Sequence, residues 1–496
     1  MTIKNICIFL LLIFASHLFA NAQPDSTVIA GEIKDPLKEG NVFTCKVIRP
    51  GAPLFGQTGF SQSFNAIISK GHFRLAIPAR YDWFDVTFYS VDSSGNQTLY
   101  NNDNSSETTY LLQKGDQINL VIQPDGLIDF FGKSSLRLTC QENIYRLHYL
   151  PESVLNAVNY LLKNKEYVAG YSVNLKFLEE QVKMKHMILE TYRDSLPASI
   201  YRRINADLLG QSYRPFLYTL SLRYQDSSAN IAAKDFFPTL NTHFPTADSN
   251  YDAVSSSLYA DMFLYKTLDE IMYNSAVGSS KKIEFSELFN RVSNEYSGAF
   301  RDKLLLLVFL NYARKDPGSI NYLDKAFAEM GNDESKDLLK EWAITHKSGV
   351  PAYAFDLSDE NGKRFKMNDF RGKIIVADFW FYGCEGCLGI PPAMKNVCEK
   401  YAGNKQVVFL SINVDSKRAT WESGLKSGQY TIQGAIHLSL LELARDNALI
   451  KYYGYDSYPQ LLVIGQDGNV VSAYPPDPRL DNGEKKKKLI DSRLNL

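Results

Sequence analysis

Two cysteines, Cys384 and Cys387, are separated by Glu385-Gly386 and follow directly on an apolar, β-branched run from Lys373 to Trp380. The pattern predicts a strand that ends near Trp380 and a helix that opens after Cys387. A sulfur at such a junction meets unpaired backbone N–H groups and the positive end of the helix dipole, which favour thiolate over thiol. The second sulfur lies about one turn further in, within reach of a mixed disulfide formed at the first. Residues of these types at this spacing suit dithiol–disulfide exchange. That chemistry passes electrons through sulfur and calls for no cofactor.

Two other chemistries open to cysteine fit less well. A closed structural zinc site needs four ligands, and the chain has no second Cys pair; His437 could join only by an accident of folding, so no metal is expected. A peroxide-reducing cysteine wants Pro seven residues and Thr or Ser three residues before it. Those positions hold Ala377 and Phe381 for Cys384, and Trp380 and Cys384 for Cys387.

The elements that must position this pair belong to a long chain. Its 496 residues make two or three domains the natural expectation. With 45% hydrophobic and 22% charged residues it reads as globular. The formal net charge is -1 and no Lys/Arg cluster is large enough for nucleic acid; Lys485 to Lys488 reads as a solvated helix face. Lys4, the apolar run Ile6 to Phe14 and Ala20-Asn21-Ala22 have the order of a secretory signal cleaved near Ala22. Cys7 lies inside that apolar run, so a lipid anchor is not expected. No other segment reaches membrane-spanning length. Export leaves Cys45, Cys140, Cys384, Cys387 and Cys398, too few for a disulfide scaffold. Whether Cys45 and Cys140 pair stays open, and Cys398 reads as a small buried residue.

Four segments follow from the patterns. Residues 1–22 are the signal. Residues 23–135 carry alternating strands, with a hairpin across Ser69-Lys70-Gly71 and another across Lys114-Gly115-Asp116, and predict a β-sandwich. Residues 136–345 change to helical period, as in Val154–Leu162, Leu175–Thr191 and Leu304–Ala313, with scattered histidines (His148, His186, His243, His346) that have no ligand spacing. Residues 346–496 alternate strands at Ile374–Phe379, Val407–Val414, Gln460–Ile464 and Val470–Ala473 with helices at Leu388–Tyr401, Ala419–Lys426 and Leu440–Tyr453. These predict a mixed sheet covered by helices.

The last segment resembles the thioredoxin-like family, in particular the exported TlpA/ResA-like disulfide reductases. The resemblance is carried by Pro351 to Leu357, the Gly362 turn, Met367 to Lys373, Asp378-Phe379-Trp380, the cysteine pair and Tyr458-Pro459. The strand-rich part, through Tyr110 to Ile118 and Gly132-Lys133-Ser134, looks like the β-sandwich module that precedes such domains in exported Bacteroidetes proteins. The resemblance implies a multidomain chain: an all-β sandwich, a helical middle region and a C-terminal α/β thioredoxin-like fold. It implies an enzyme, a periplasmic thiol–disulfide oxidoreductase. Cys384 would be the exposed nucleophile, Cys387 the buried resolving thiol and Asp378 the buried carboxylate that serves Cys387 as base. Pro459 would be cis, and Trp380, Tyr458 and Pro459 would meet substrate.

The departures are informative. Glu385-Gly386 stands where thioredoxin has Gly-Pro, Gly383 where it has Trp, and Ser411 where the lysine that pairs with the buried carboxylate falls. Glu385 beside the nucleophile should oppose its ionisation, which favours a reductase over an oxidase. Isomerase and oxidase remain as alternatives, as does a binding or scaffold protein whose redox domain is accessory. The expected partners are protein disulfides and a membrane electron donor, with a homodimer also open.

Overall fold

The computed structural model describes residues 26–53, 60–78, 80–93, 96–100, 108–147, 151–221, 226–274, 283–331, 334–441, 447–455 and 457–494. The signal reading and His148 fall outside them. The chain divides into two compact units, 1–52 with 61–262 and 53–60 with 263–496.

Among the described residues the first unit opens with nine strands: β1 (Thr27–Ile33), β2 (Val42–Ile48), β3 (Ser61–Ile67), β4 (His72–Ile77), β5 (Trp83–Val91), β6 (Gln97–Leu99), β7 (Tyr110–Gln113), β8 (Gln117–Ile122) and β9 (Ile128–Phe131). They form two sheets, β4-β1-β8-β9 and β3-β2-β5-β6, with β7 on β5. Residues alternate along β8 between buried and half-buried, the period of a strand with one face on a core. Phe43 lies against Phe73, Phe88 and Tyr100, and Phe88 against Tyr110, so aromatic faces fill the space between the sheets. Cys45 and Cys140 are both buried free thiols in this core.

Helices follow: α1 (Ser135–Tyr145), α2 (Glu152–Lys163), α3 (Tyr167–Glu190), α4 (Ala198–Ser221), α5 (Ser227–His243), α6 (Tyr251–Val254) and the first part of α7 (Ser257–Asn274). A buried ion network joins α4 to the sandwich. Arg203 donates to both oxygens of Asp85 at 2.9 and 2.8 Å and to Asp207 at 3.2 Å. A buried guanidinium between two carboxylates is held by geometry that leaves no member unpaired.

The second unit begins in α7 and adds α8 (Phe285–Glu295), α9 (Gly298–Tyr312), α10 (Leu323–Glu329) and α11 (Glu334–His346). α9 runs Leu304-Leu305-Leu306-Leu307-Val308-Phe309-Leu310 and is buried on every side through that stretch. The strands are β10 (Asp356–Ser358), β11 (Arg364–Lys366), β12 (Ile374–Trp380), β13 (Val407–Asn413), β14 (Ile436–Ser439), β15 (Gln460–Ile464) and β16 (Val470–Ser472). They form one mixed sheet in the order β11-β10-β14-β13-β12-β15-β16. β12 pairs parallel with β13 and antiparallel with β15. All seven of its residues are buried, which explains its unbroken apolar run. α12 (Ile390–Lys400), α13 (Arg418–Ser427), α14 (Ala448–Tyr453) and α15 (Glu484–Leu494) accompany the sheet. Of the stretch expected as one helix from Leu440 to Tyr453, the described helix is α14, and residues 442–446 lie outside the described residues.

α11 is tied to the sheet domain by its last turn. His346 is buried, with its ring nitrogens 2.8 Å from the Trp342 carbonyl oxygen and 3.1 Å from that of Tyr453. Its ring stacks on Trp342 at 4.3 Å and on Tyr474 at 5.3 Å. Burial pushes its pKa down to about 4, against the two carbonyls, which raise it. Among the described residues no helix is long and apolar enough to cross a membrane.

Candidate active site

The site grows from the end of β12. Beyond Trp380 the chain turns through Phe381, Tyr382 and Gly383. Gly383 has φ +91, a conformation that L side chains rarely adopt, so the Trp found there in thioredoxin would be strained in this turn. The turn is pinned by backbone donors: Tyr382 N–H to Asp415 Oδ2 at 3.0 Å and Gly383 N–H to the Tyr430 hydroxyl at 3.2 Å. Cys384 then caps a 3₁₀ turn, Glu385–Gly389, that leads into α12. Its sulfur accepts the Cys387 N–H at 3.2 Å. The two sulfurs are joined as a disulfide.

Cys384 is 5% exposed and Cys387 1%, so in the oxidised protein both are buried, against the expectation of an exposed Cys384, and the first residue keeps the larger share of what little surface the pair has. Tyr382 and Leu388 are exposed beside them, as is Glu385. The Tyr458–Pro459 bond is cis. A Cβ on Gly386 would lie 3.3 Å from Pro459 Cδ and 3.6 Å from the Tyr458 carbonyl oxygen, so this glycine lets the cysteine loop close on the proline. From the other side Arg479 Nη1 donates to the Gly386 carbonyl at 3.0 Å, and Asp477 holds the same guanidinium. Trp380 differs from expectation. It is 1% exposed, stacked at 5.3 Å on Tyr430 and packed with Trp421 and both cysteines, so it supports the disulfide from beneath and has no face to offer a substrate.

Asp378 lies within β12, buried at 2% exposure, abreast of Ser411 on β13. The Ser411 hydroxyl accepts Trp380 Nε1–H at 2.9 Å and hydrogen-bonds the Asp378 carboxyl. Burial pushes Asp378 up to about 8, and the Ser411 bond and the charge of Lys486 only partly oppose it. Here the sequence reading of Lys485 to Lys488 needs correction. Lys486 is fully buried, while Lys485 and Lys488 are exposed, because Lys486 and Ile490 share the one face of α15 that packs inward. Burial lowers Lys486 to about 7, against the carboxylates of Asp477, Asp378 and Asp481. Cys398, on α12, is a buried free thiol raised to about 12, by burial first and by Asp378 second. Sequence reasoning therefore missed Lys486, Arg479 and Tyr430. The four-residue repeat of Lys486 and Ile490 was the one signal that could have found the first.

A buried carboxyl on the strand that leads to a disulfide at a helix start, faced by a cis-proline, on a sheet of this strand order, defines a thioredoxin-like redox domain. The C-terminal part of the chain belongs to the thioredoxin-like thiol–disulfide oxidoreductases. A family model described as Thioredoxin-like matches residues 372–470. The chain is 25% identical over 146 residues to the thiol–disulfide oxidoreductase ResA of Bacillus thuringiensis subsp. konkukian (strain 97-27), covering 29% of this chain and 76% of that one. It is 26% identical over 148 residues to ResA of Bacillus subtilis (strain 168), covering 30% and 74%. The crystal structure of the thioredoxin domain of a thiol–disulfide oxidoreductase from Bacteroides vulgatus aligns at 21% identity, covering 28% of this chain and 96% of that one, with TM-score 0.25.

Proposed function

We propose that this protein is a periplasmic disulfide reductase acting on protein substrates. The Cys384 thiolate attacks a substrate disulfide, expelling one substrate thiolate and leaving a mixed disulfide. Cys387 passes its proton to Asp378 and attacks the Cys384 sulfur, expelling the second substrate thiolate. The substrate gains two electrons and the protein is left with the Cys384–Cys387 disulfide. A membrane electron donor then returns two electrons and two protons to restore the dithiol. Tyr458 and Pro459 line the approach to the pair. The observation that carries the reading is a titratable carboxyl buried on the strand that leads to the disulfide. The leader-like residues 1–22 support export. Residues 23–135 and 136–345 would supply docking or self-association surfaces, and residues 346–496 the redox domain.

The direction of transfer rests on Glu385. It is exposed next to Cys384, and its charge disfavours the thiolate that makes strong oxidants stable when reduced. The potential should lie nearer about -270 mV than about -120 mV. Equilibration against glutathione and dithiothreitol buffers tests this, and a potential at the oxidant end makes it an oxidase. Trapping tests the site: Cys387→Ser should accumulate mixed disulfides on Cys384, and adducts found only on other cysteines would remove the assignment.

A further inference from the structure

We infer that Lys486, brought in by α15, is the positioning residue that keeps Asp378 usable as a base for Cys387. The inference rests on the reading of Asp378 given above. α15 packs on β12, on α12 and on the 3₁₀ turn Pro478–Leu480. Lys486 is fully buried at that junction, and neither its Nζ nor Asp378 Oδ1 has a hydrogen-bond partner among the described residues. An ammonium carried this deep is costly unless a carboxylate answers it. The groups facing it are Asp378 from β12 and Asp477 and Asp481 from the segment before α15, with Arg479 paired to Asp477. Cys398 faces Asp378 from α12. On its own helix Glu484 pairs with Lys487, and Asp491 with Lys400.

Burial outweighs attraction for both partners: it raises the acid and lowers the base until their proton affinities meet near neutrality. Two groups that interact strongly titrate as one unit, which is what the inference requires of this pair. Before Cys387 surrenders its proton the carboxylate's charge is answered by Lys486, and once the proton arrives the carboxyl is neutral. In the usual family arrangement a lysine occupies the strand position held here by Ser411. Here Ser411 hydrogen-bonds the carboxyl from β13, and Lys486 acts on it through its charge from α15.

The test uses the full-length reduced protein and 5,5'-dithiobis(2-nitrobenzoate). Its first thionitrobenzoate is released as Cys384 forms a mixed disulfide and its second as Cys387 resolves it; Cys387→Ser isolates the first phase. Lys486→Met should move the pH midpoint of the second phase upward by about one unit, so that the rate at pH 7 falls about tenfold. The first phase should not change, and Lys486→Arg should restore most of the second. In an Asp378→Asn background, Lys486→Met should alter the second phase less than twofold. An unmoved midpoint in Lys486→Met, or an equal loss in the Asp378→Asn background, overturns the inference and leaves the function reading intact. An Asp378→Asn profile identical to wild type overturns both. If Lys486→Met does not fold, ¹³C NMR of the unaltered protein decides, with Lys486 and Asp378 assigned by loss of their signals in Lys486→Arg and Asp378→Asn. Linked titration near neutrality supports the pair. An isolated lysine titration above pH 10 overturns it.

Discussion

Replacing Asp378 with Asn should make the oxidised protein more stable, and more so as pH rises. The carboxyl ordinarily ionises near 3.8, and in the fold it keeps its proton up to about 8. Between those values the folded chain binds a proton that the unfolded chain has released. Unfolding stability therefore falls as pH rises through that window and levels off above it. Each pH unit costs about 1.4 kcal/mol, so by pH 7 the ceiling is about 4 kcal/mol. Relaxation around a buried charge, and the loss of a partner for Lys486, bring the expected gain to about 2 kcal/mol at pH 7. Asn keeps the shape and can still bond Ser411. Urea unfolding of full-length protein at pH 4, 5.5, 7 and 8.5 measures it, with proteolysis reporting on the unit from residue 263, since two units need not unfold together. The variant and wild type should coincide near pH 4 and diverge above it. A difference that does not change with pH, or a variant less stable throughout, refutes the reasoning.

Gly424→Ala should loosen the site from beneath. The new methyl would lie 2.6 and 2.8 Å from the Trp380 ring, so the indole must leave its stack on Tyr430, at a cost of about 1–3 kcal/mol, with altered tryptophan fluorescence and slower exchange. Unchanged fluorescence would show that the backbone yields instead. His346 works in the opposite sense to Asp378. Its folded pKa is depressed from 6.5 to about 4, so the unfolded state binds the extra proton and wild-type stability falls as pH drops from 6.5 to 4, by up to about 3 kcal/mol. His346→Gln should flatten that limb of the stability–pH curve, and a retained slope would assign it to another group.

The local features of the site were legible before the fold was seen. An unbroken apolar strand, a cysteine pair after it, a carboxylate within it and a Tyr-Pro step are each written in neighbouring residues. Lys486 was not legible, because four consecutive lysines read as solvent-facing and only the docking of α15 selects one for burial. Trp380 was misjudged for a related reason. Being near the cysteines in sequence says nothing about which side of the sheet its indole takes, and Ser411 and Tyr430 draw it inward. β14 escaped notice because four residues, Ile436–Ser439, are too few to show a period. The helices of the middle region announced themselves by period. Their division between two units depends on tertiary contacts that a period does not encode.

The stack of Trp342, His346 and Tyr474 has a bearing on how such a domain can be inherited. The family match begins at residue 372, yet a helix ending at His346 supplies two of the three rings and anchors to the Tyr453 carbonyl. A recombination event that copied only the matched stretch would leave Trp342, His346 and Tyr474 behind and strip Tyr453 of the ring that covers it, with a raw aromatic face in place of a seam. The unit that can be moved between genes without repair is therefore larger than the stretch the family model matches. Its upstream edge must drift together with residues more than a hundred positions away.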